Sequence, residues 1–331
     1  MSGRRIISAA AVSLCVLSSS ACGTTVGPSA TASQSAVPAA ASSAAPAAQS
    51  PATQQSTTPE PSSPATSQGV QTAGEESVTE VFDPTNFTDP ATIDNPWLPF
   101  VAGTQWTFEG SATVDGKRIK RRVVNTTTDL TKVINGTRAV MNYELDYDSG
   151  ELVEAELAFF VQDDDGTIWH LGQYPEEYEN GKFVESKTWL AGFEDAKAGI
   201  TMLADPQLAT PSYSEGWGPK VGWTDRARVF EVGSKTCVGA GCYTGVLVVD
   251  EFNRDEPDAH QLKYYASDVG GVRVGWAGTN EEEQETLELV KVVHLDPDAL
   301  AKVRVAALAL EQHAYVTSKD IYGQTEPAQQ R

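Results

Sequence analysis

Positive charge is scarce in this chain: 24 lysines and arginines stand against 45 aspartates and glutamates, a formal net charge of −21 over 331 residues. A surface of that sign repels phosphate backbones, so no nucleic acid partner is expected. Long apolar runs are also missing. The run at residues 6–17 falls well short of the roughly 20 residues that a helix needs to cross a bilayer. Histidine is rare, and His170, His260, His294 and His313 share neither an i, i+4 spacing nor a His-Glu-x-x-His motif, so no metal is expected. No Gly-x-Ser-x-Gly elbow occurs, since Ser214 lies in Pro-Ser-Tyr-Ser-Glu-Gly. The run Asp163-Asp164-Asp165-Gly166 lacks the alternating ligands of a calcium loop and reads as a hairpin turn. Carboxylates are plentiful, but Glu281, Glu282, Glu283 and Glu285 read as a solvated acidic face, and no glycosidase pair stands out. The expectation is a protein that is not an enzyme and carries no cofactor.

Aromatic residues and charges are almost absent from residues 23–71, where Glu60 is the single charged side chain. Seven prolines, from Pro28 to Pro64, interrupt every window in which the many alanines would otherwise nucleate a helix. Such a segment cannot bury enough apolar surface to offset its ordering entropy, so residues 22–77 read as a disordered linker. Ahead of it stand Arg4 and Arg5, the apolar run, small residues at 18–21, and then Cys22. This arrangement resembles the bacterial lipoprotein signal, departing from it at Ser19, where the family prefers Leu. The resemblance implies removal of residues 1–21 and lipidation of Cys22. The protein is then extracytoplasmic, anchored to the bacterial cell membrane through that cysteine. A plain secretory signal is the alternative.

From residue 78 the composition changes, and all seven tryptophans follow. Turn signals recur at hairpin spacing: Asp115-Gly116 between 104–114 and 118–128, Ser149-Gly150 between 140–147 and 152–162, Asp165-Gly166 between 152–162 and 167–171, and Asn180-Gly181 between 174–179 and 183–188. An irregular stretch at 204–222 precedes further strands at 224–232, 243–252, 261–265, 271–276 and 286–294. Asp296-Pro297 then opens a helix with Leu300, Val303, Ala307 and Leu310 on one stripe. The expected fold is mainly β: one domain over 78–316, a strongly curved antiparallel meander or open barrel with the helix packed on it, and a disordered tail at 317–331.

Cys237 and Cys242, separated by a loop with two glycines, read as a disulfide in an exported protein. In the basic run 117–122, a strand places Arg118, Lys120 and Arg122 on one side and Arg121 on the other. Such a charged strand either guards a sheet edge or pairs with an acidic neighbour; docking on an anionic wall polymer is a third reading. Asp94-Asn-Pro-Trp-Leu-Pro, Gly103-Thr-Gln-Trp-Thr-Phe-Glu, Gln162-Asp-Asp-Asp-Gly-Thr-Ile-Trp and Trp189-Leu-Ala-Gly-Phe-Glu-Asp-Ala-Lys-Ala-Gly resemble a family of exported bacterial proteins of unknown function. That family supplies no catalytic residues. At the level of fold, a tethered curved sheet is also similar to lipid-carrier lipoproteins. Two roles follow. One is a noncatalytic binding module for a lipid or glycan, with Trp106, Phe108, Trp169, Trp223 and Trp276 as candidate pocket residues. The other is a structural or interaction protein of the envelope with no small ligand.

Overall fold

The computed structural model describes residues 78–331, so the signal, Cys22 and the linker lie outside the described residues. Strands β1 (Thr104–Val114), β2 (Lys117–Ile134), β3 (Thr137–Asp148), β4 (Glu151–Gln162) and β5 (Ile168–Glu179) form an antiparallel meander. Tight turns join most of them because the turn residues reach positive φ: Asp115-Gly116, Asn135-Gly136 and Ser149-Gly150. Asn180-Gly181 does the same between β5 and β6 (Lys182–Glu185).

The short strands β7 (Trp189–Leu190), β8 (Lys197–Met202), β9 (Tyr213–Ser214) and β10 (Gly216–Trp217) come next. A second meander contains β11 (Arg226–Val238), β12 (Gly241–Phe252), β13 (His260–Ala266), β14 (Gly270–Ala277) and β15 (Thr286–His294). Strand β15 pairs with β1, which joins the two meanders into one antiparallel sheet ordered β10-β8-β5-β4-β3-β2-β1-β15-β14-β13-β12-β11-β9. The two terminal strands of that order are separated in sequence by Glu215 alone. A single segment, 213–217, therefore hydrogen bonds to β8 through one end and to β11 through the other.

Both faces of β2–β5 are covered. On one face, Leu130, Met141, Leu157, Phe159 and Leu171 pack with Ala307, Leu310 and Ala314 of helix α1 (Pro297–Thr317) and with Ile321 and Tyr322 of α2 (Lys319–Tyr322). The Asp296 carboxylate accepts from Ala299 N at 2.8 Å and Pro297 occupies the first turn, as the sequence predicts for this helix start. On the opposite, helix-free face, one apolar cluster joins Phe108, Val123, Val140 and Phe160 to Leu247, Tyr265, Val272 and Leu287, residues of both meanders. The segment before β1 contributes Ile93, Leu98 and Phe100 to the same cluster.

Several expectations are corrected. The tail at 317–331 is not disordered: it forms α2, then β16 (Gln329–Gln330), which pairs with β2, and Arg331 N donates to Asp129 O at 2.9 Å. Its low apolar content hid partners that are mostly backbone groups and buried charges. Residues 167–171 and 174–179 belong to one strand, β5, which is irregular near Gly172. There φ is +130° and an added Cβ would lie 2.3 Å from Trp189 O. The basic strand β2 is not an edge, because β1 and β3 flank it; Arg121 pairs with the acidic neighbour strand instead.

Candidate functional site

Alternation along β3 sends Val140, Asn142, Glu144, Asp146 and Asp148 to the helix-free face, while Met141, Tyr143 and Leu145 face the helices. On β4 the corresponding residues are Glu154, Glu156, Ala158 and Phe160. The register opposes Glu144 to Glu156 and Asp146 to Glu154. Each of these four is at most 3% exposed. Like charges directly opposed across a ladder repel, and burial deepens that cost.

Some of the surrounding charge is compensated. Buried Arg121 on β2 meets Asp148 at 2.9 Å, Glu285 at 2.9 Å and Glu283 at 3.4 Å. Lys263 on β13 lies 2.9 Å from Glu251, and Asn125 Nδ2 donates to Glu144 at 2.5 Å. Asp146 and Glu156 differ: neither carboxyl of the two accepts a hydrogen bond from any group among the described residues. The same holds for the amide oxygens of Asn142, Gln173 and Gln261.

Burial holds Asp146 well above the ordinary carboxylate pKa, with Glu144 and Glu154 pushing the same way and Arg121 opposing them. Glu156 is also raised by burial and by Glu154, Glu144 and Asp146, against the pull of Lys263. Glu215, in the segment that touches both ends of the sheet order, is raised by burial and by Glu251. Burial alone would lower Lys263, but Glu251 and Glu215 leave it raised. His170, stacked on Phe160 at 4.9 Å and edge-on to Trp189, is pushed down by burial to about 3. Chemically, the face offers buried acceptors beside an apolar cluster. Among the described residues, no group of three or more His, Cys, Asp or Glu side chains is placed to hold a metal ion.

The five aromatic residues singled out from the sequence do not share one lining. Trp106 and Phe108 sit together in the helix-free cluster, with Trp106 Nε1 donating to Val269 O at 2.8 Å. Trp106 also lines a groove of about 430 Å³ with Val101, Tyr243, Val269 and Val292. Trp169 lies on the helix-covered face, edge-on to Phe82, and donates to Asp163. Trp223 stacks with Trp189 in a separate small cluster, and Trp276 near the end of β14 is 40% exposed. Strand parity separates Trp169 from the first pair, because its β4 partner Val161 also faces the helices.

Cys237 and Cys242 are bonded, at 2.08 Å, directly across the β11–β12 hairpin. Asp163 does act in a turn, accepting from Asp165 N and Thr167 N. Glu281, Glu283 and Glu285 are not a solvated face: all three are buried, whereas Glu282 between them is exposed. The carboxylates of β3 and β4 were legible only as alternation in step with Val140 and Phe160. Acidic residues are ordinarily exposed, and that tendency masks the pattern.

No family model and no curated protein matches the chain. Among solved structures it is similar to a Bacteroides fragilis chain described as an exported protein with a YmcC-like fold, at 14% identity and a TM-score of 0.35, covering 60% of this chain and 98% of that one. A Parabacteroides distasonis chain described as a lipoprotein is similar at 12% identity and a TM-score of 0.32, covering 60% and 99%.

Proposed function

We propose that this chain is a cell-envelope lipoprotein, held outside the cytoplasm by a lipidated Cys22, whose sheet is a noncatalytic binding module for a lipid or other apolar ligand. One observation carries the reading. On the helix-free face, the apolar cluster around Val140 and Phe160 runs directly into buried acceptors that find no partner among the described residues. Unpaired buried polar groups cost stability, so they fit a surface shaped for another molecule better than one shaped for the fold alone.

In this reading the sheet bends until the helix-free faces of its two meanders turn toward each other. Two things support the bend: Phe160 of β4 and Leu247 of β12 share a cluster although the sheet order sets them far apart, and segment 213–217 reaches both terminal strands. The scatter of Trp169, Trp223 and Trp276 favours the second reading, a structural or interaction protein with no small ligand.

Native mass spectrometry of the full-length protein, gently extracted from its own envelope, separates the two. A retained mass corresponding to a lipid or small amphiphile supports the binding module. A clean unliganded mass contradicts it and favours the structural role.

A further inference from the structure

We infer, resting on the binding role just proposed, that the ligand of the helix-free face is an amphiphile with a cationic nitrogen head. Its N–H donors meet Asp146, Glu156 and the neighbouring amide oxygens, and its hydrocarbon part lies over Ala158, Phe160 and Val140. The first ground is the kind of group left over. The carboxyl oxygens of Asp146 and Glu156 and the amide oxygens of Asn142, Gln173 and Gln261 are all acceptors, and each residue is at most 3% exposed. On two of these residues the amide donor is engaged while the amide oxygen is not: Asn142 Nδ2 donates to Asn125 at 3.4 Å and Gln261 Nε2 to Glu285 at 3.0 Å. Three of the five residues are neutral amides, so the surplus of acceptors does not depend on how the carboxyls titrate.

Charge points the same way. Arg121 is engaged by Asp148, Glu285 and Glu283, and Lys263 by Glu251, so neither cation hydrogen bonds to Asp146 or Glu156. A compact metal ion fits poorly, because calcium needs oxygen ligands converging at about 2.3–2.6 Å and the described residues hold no such group. An ammonium head reaches separated acceptors through hydrogen bonds of about 2.8 Å. Position then supplies the apolar half. Ala158 is directly opposite both Asn142 and Gln173, and Phe160 is opposite Val140. Glu156 and Phe160 are four residues apart on β4, a span of roughly 13 Å along a strand.

The test is titration of the full chain at neutral pH with n-octylamine, 1-octanol, octanoic acid and calcium chloride, each alone, followed by calorimetry. The amine is expected to bind about tenfold or more tightly than the alcohol or the acid. The double variant Asp146→Asn, Glu156→Gln is expected to lose about tenfold or more in amine affinity while keeping its affinity for octanol. Its urea midpoint reports whether it folds, and it is expected to equal or exceed that of the wild type. Octanol or octanoic acid binding as well as the amine would overturn the cationic head and leave the binding module standing. Calcium binding that the variant abolishes would overturn the amine in favour of a metal. Equal amine affinity in the variant would overturn the assignment to Asp146 and Glu156. Binding of none of the four would overturn both this inference and the proposed binding module.

Discussion

Glu156 shows what one residue contributes to this account. It is 1% exposed, faces Glu144 across the ladder, and neither of its oxygens has a hydrogen-bond donor among the described residues. Replacing it with glutamine keeps the shape and removes the charge. In the unliganded protein Glu156→Gln is therefore expected to raise stability by about 1–3 kcal/mol at neutral pH, because it removes a charge that burial and the neighbouring Glu154, Glu144 and Asp146 disfavour. Urea unfolding measures it; a loss of that size would show that the carboxylate supports the fold. Sequence reading found Arg121, Cys237 and Cys242 because their partners are local or their parity is plain. It missed the burial of Asp146 and Glu156, since an isolated carboxylate gives no sign of which face its neighbours close.

At the scale of elements, the hairpins were legible and the docking of the C-terminal region was not. Asp115-Gly116 and Asn180-Gly181 dictate their turns, and Asn135-Gly136 between Ile134 and Thr137 is an equally good signal that lies outside the hairpins expected from the sequence. Helix α1 is fixed by more than its apolar stripe. Lys132 of β2 and Glu311 of the helix form a fully buried pair at 2.8 Å, and Lys132 also donates to Glu326 O at 2.7 Å and lies 4.8 Å from the Tyr322 ring centroid. Glu311 accepts from Ala328 N, tying the tail to the same pair. Glu311→Gln is expected to cost about 3–5 kcal/mol because it strands a buried ammonium, and Lys132→Met with Glu311→Leu is expected to recover most of that. Thermal unfolding of both variants checks the pair. Arg304, bonded to Asp129, is a weaker, solvent-screened clasp, and Arg304→Ala is expected to lower the thermal midpoint far less than Glu311→Gln does.

For the whole molecule, the proposed lipid anchor and the interior of the sheet carry the proposed role. Cys22→Ser is expected to move the protein from the membrane fraction to the soluble one and to leave the precursor unprocessed, which fractionation and intact-mass measurement read directly. The interior makes its own demand on stability. A carboxyl whose pKa is higher in the folded chain than in the unfolded one binds more protons when folded. Its contribution is full below the unfolded value and is lost as pH rises through the folded value. Asp146, Glu156 and Glu215 are all of this kind, while buried His170 acts oppositely, its contribution present above about 6.5 and lost as pH falls toward about 3. Comparing the full-length wild type with the Asp146→Asn, Glu156→Gln variant cancels the histidine and leaves the two carboxyls. The most direct test is the urea midpoint of both proteins across pH. The variant's advantage is expected to be smallest near pH 4 and to widen as pH rises; a constant difference, or one that narrows with pH, would contradict an interior holding uncompensated acids for a ligand to meet.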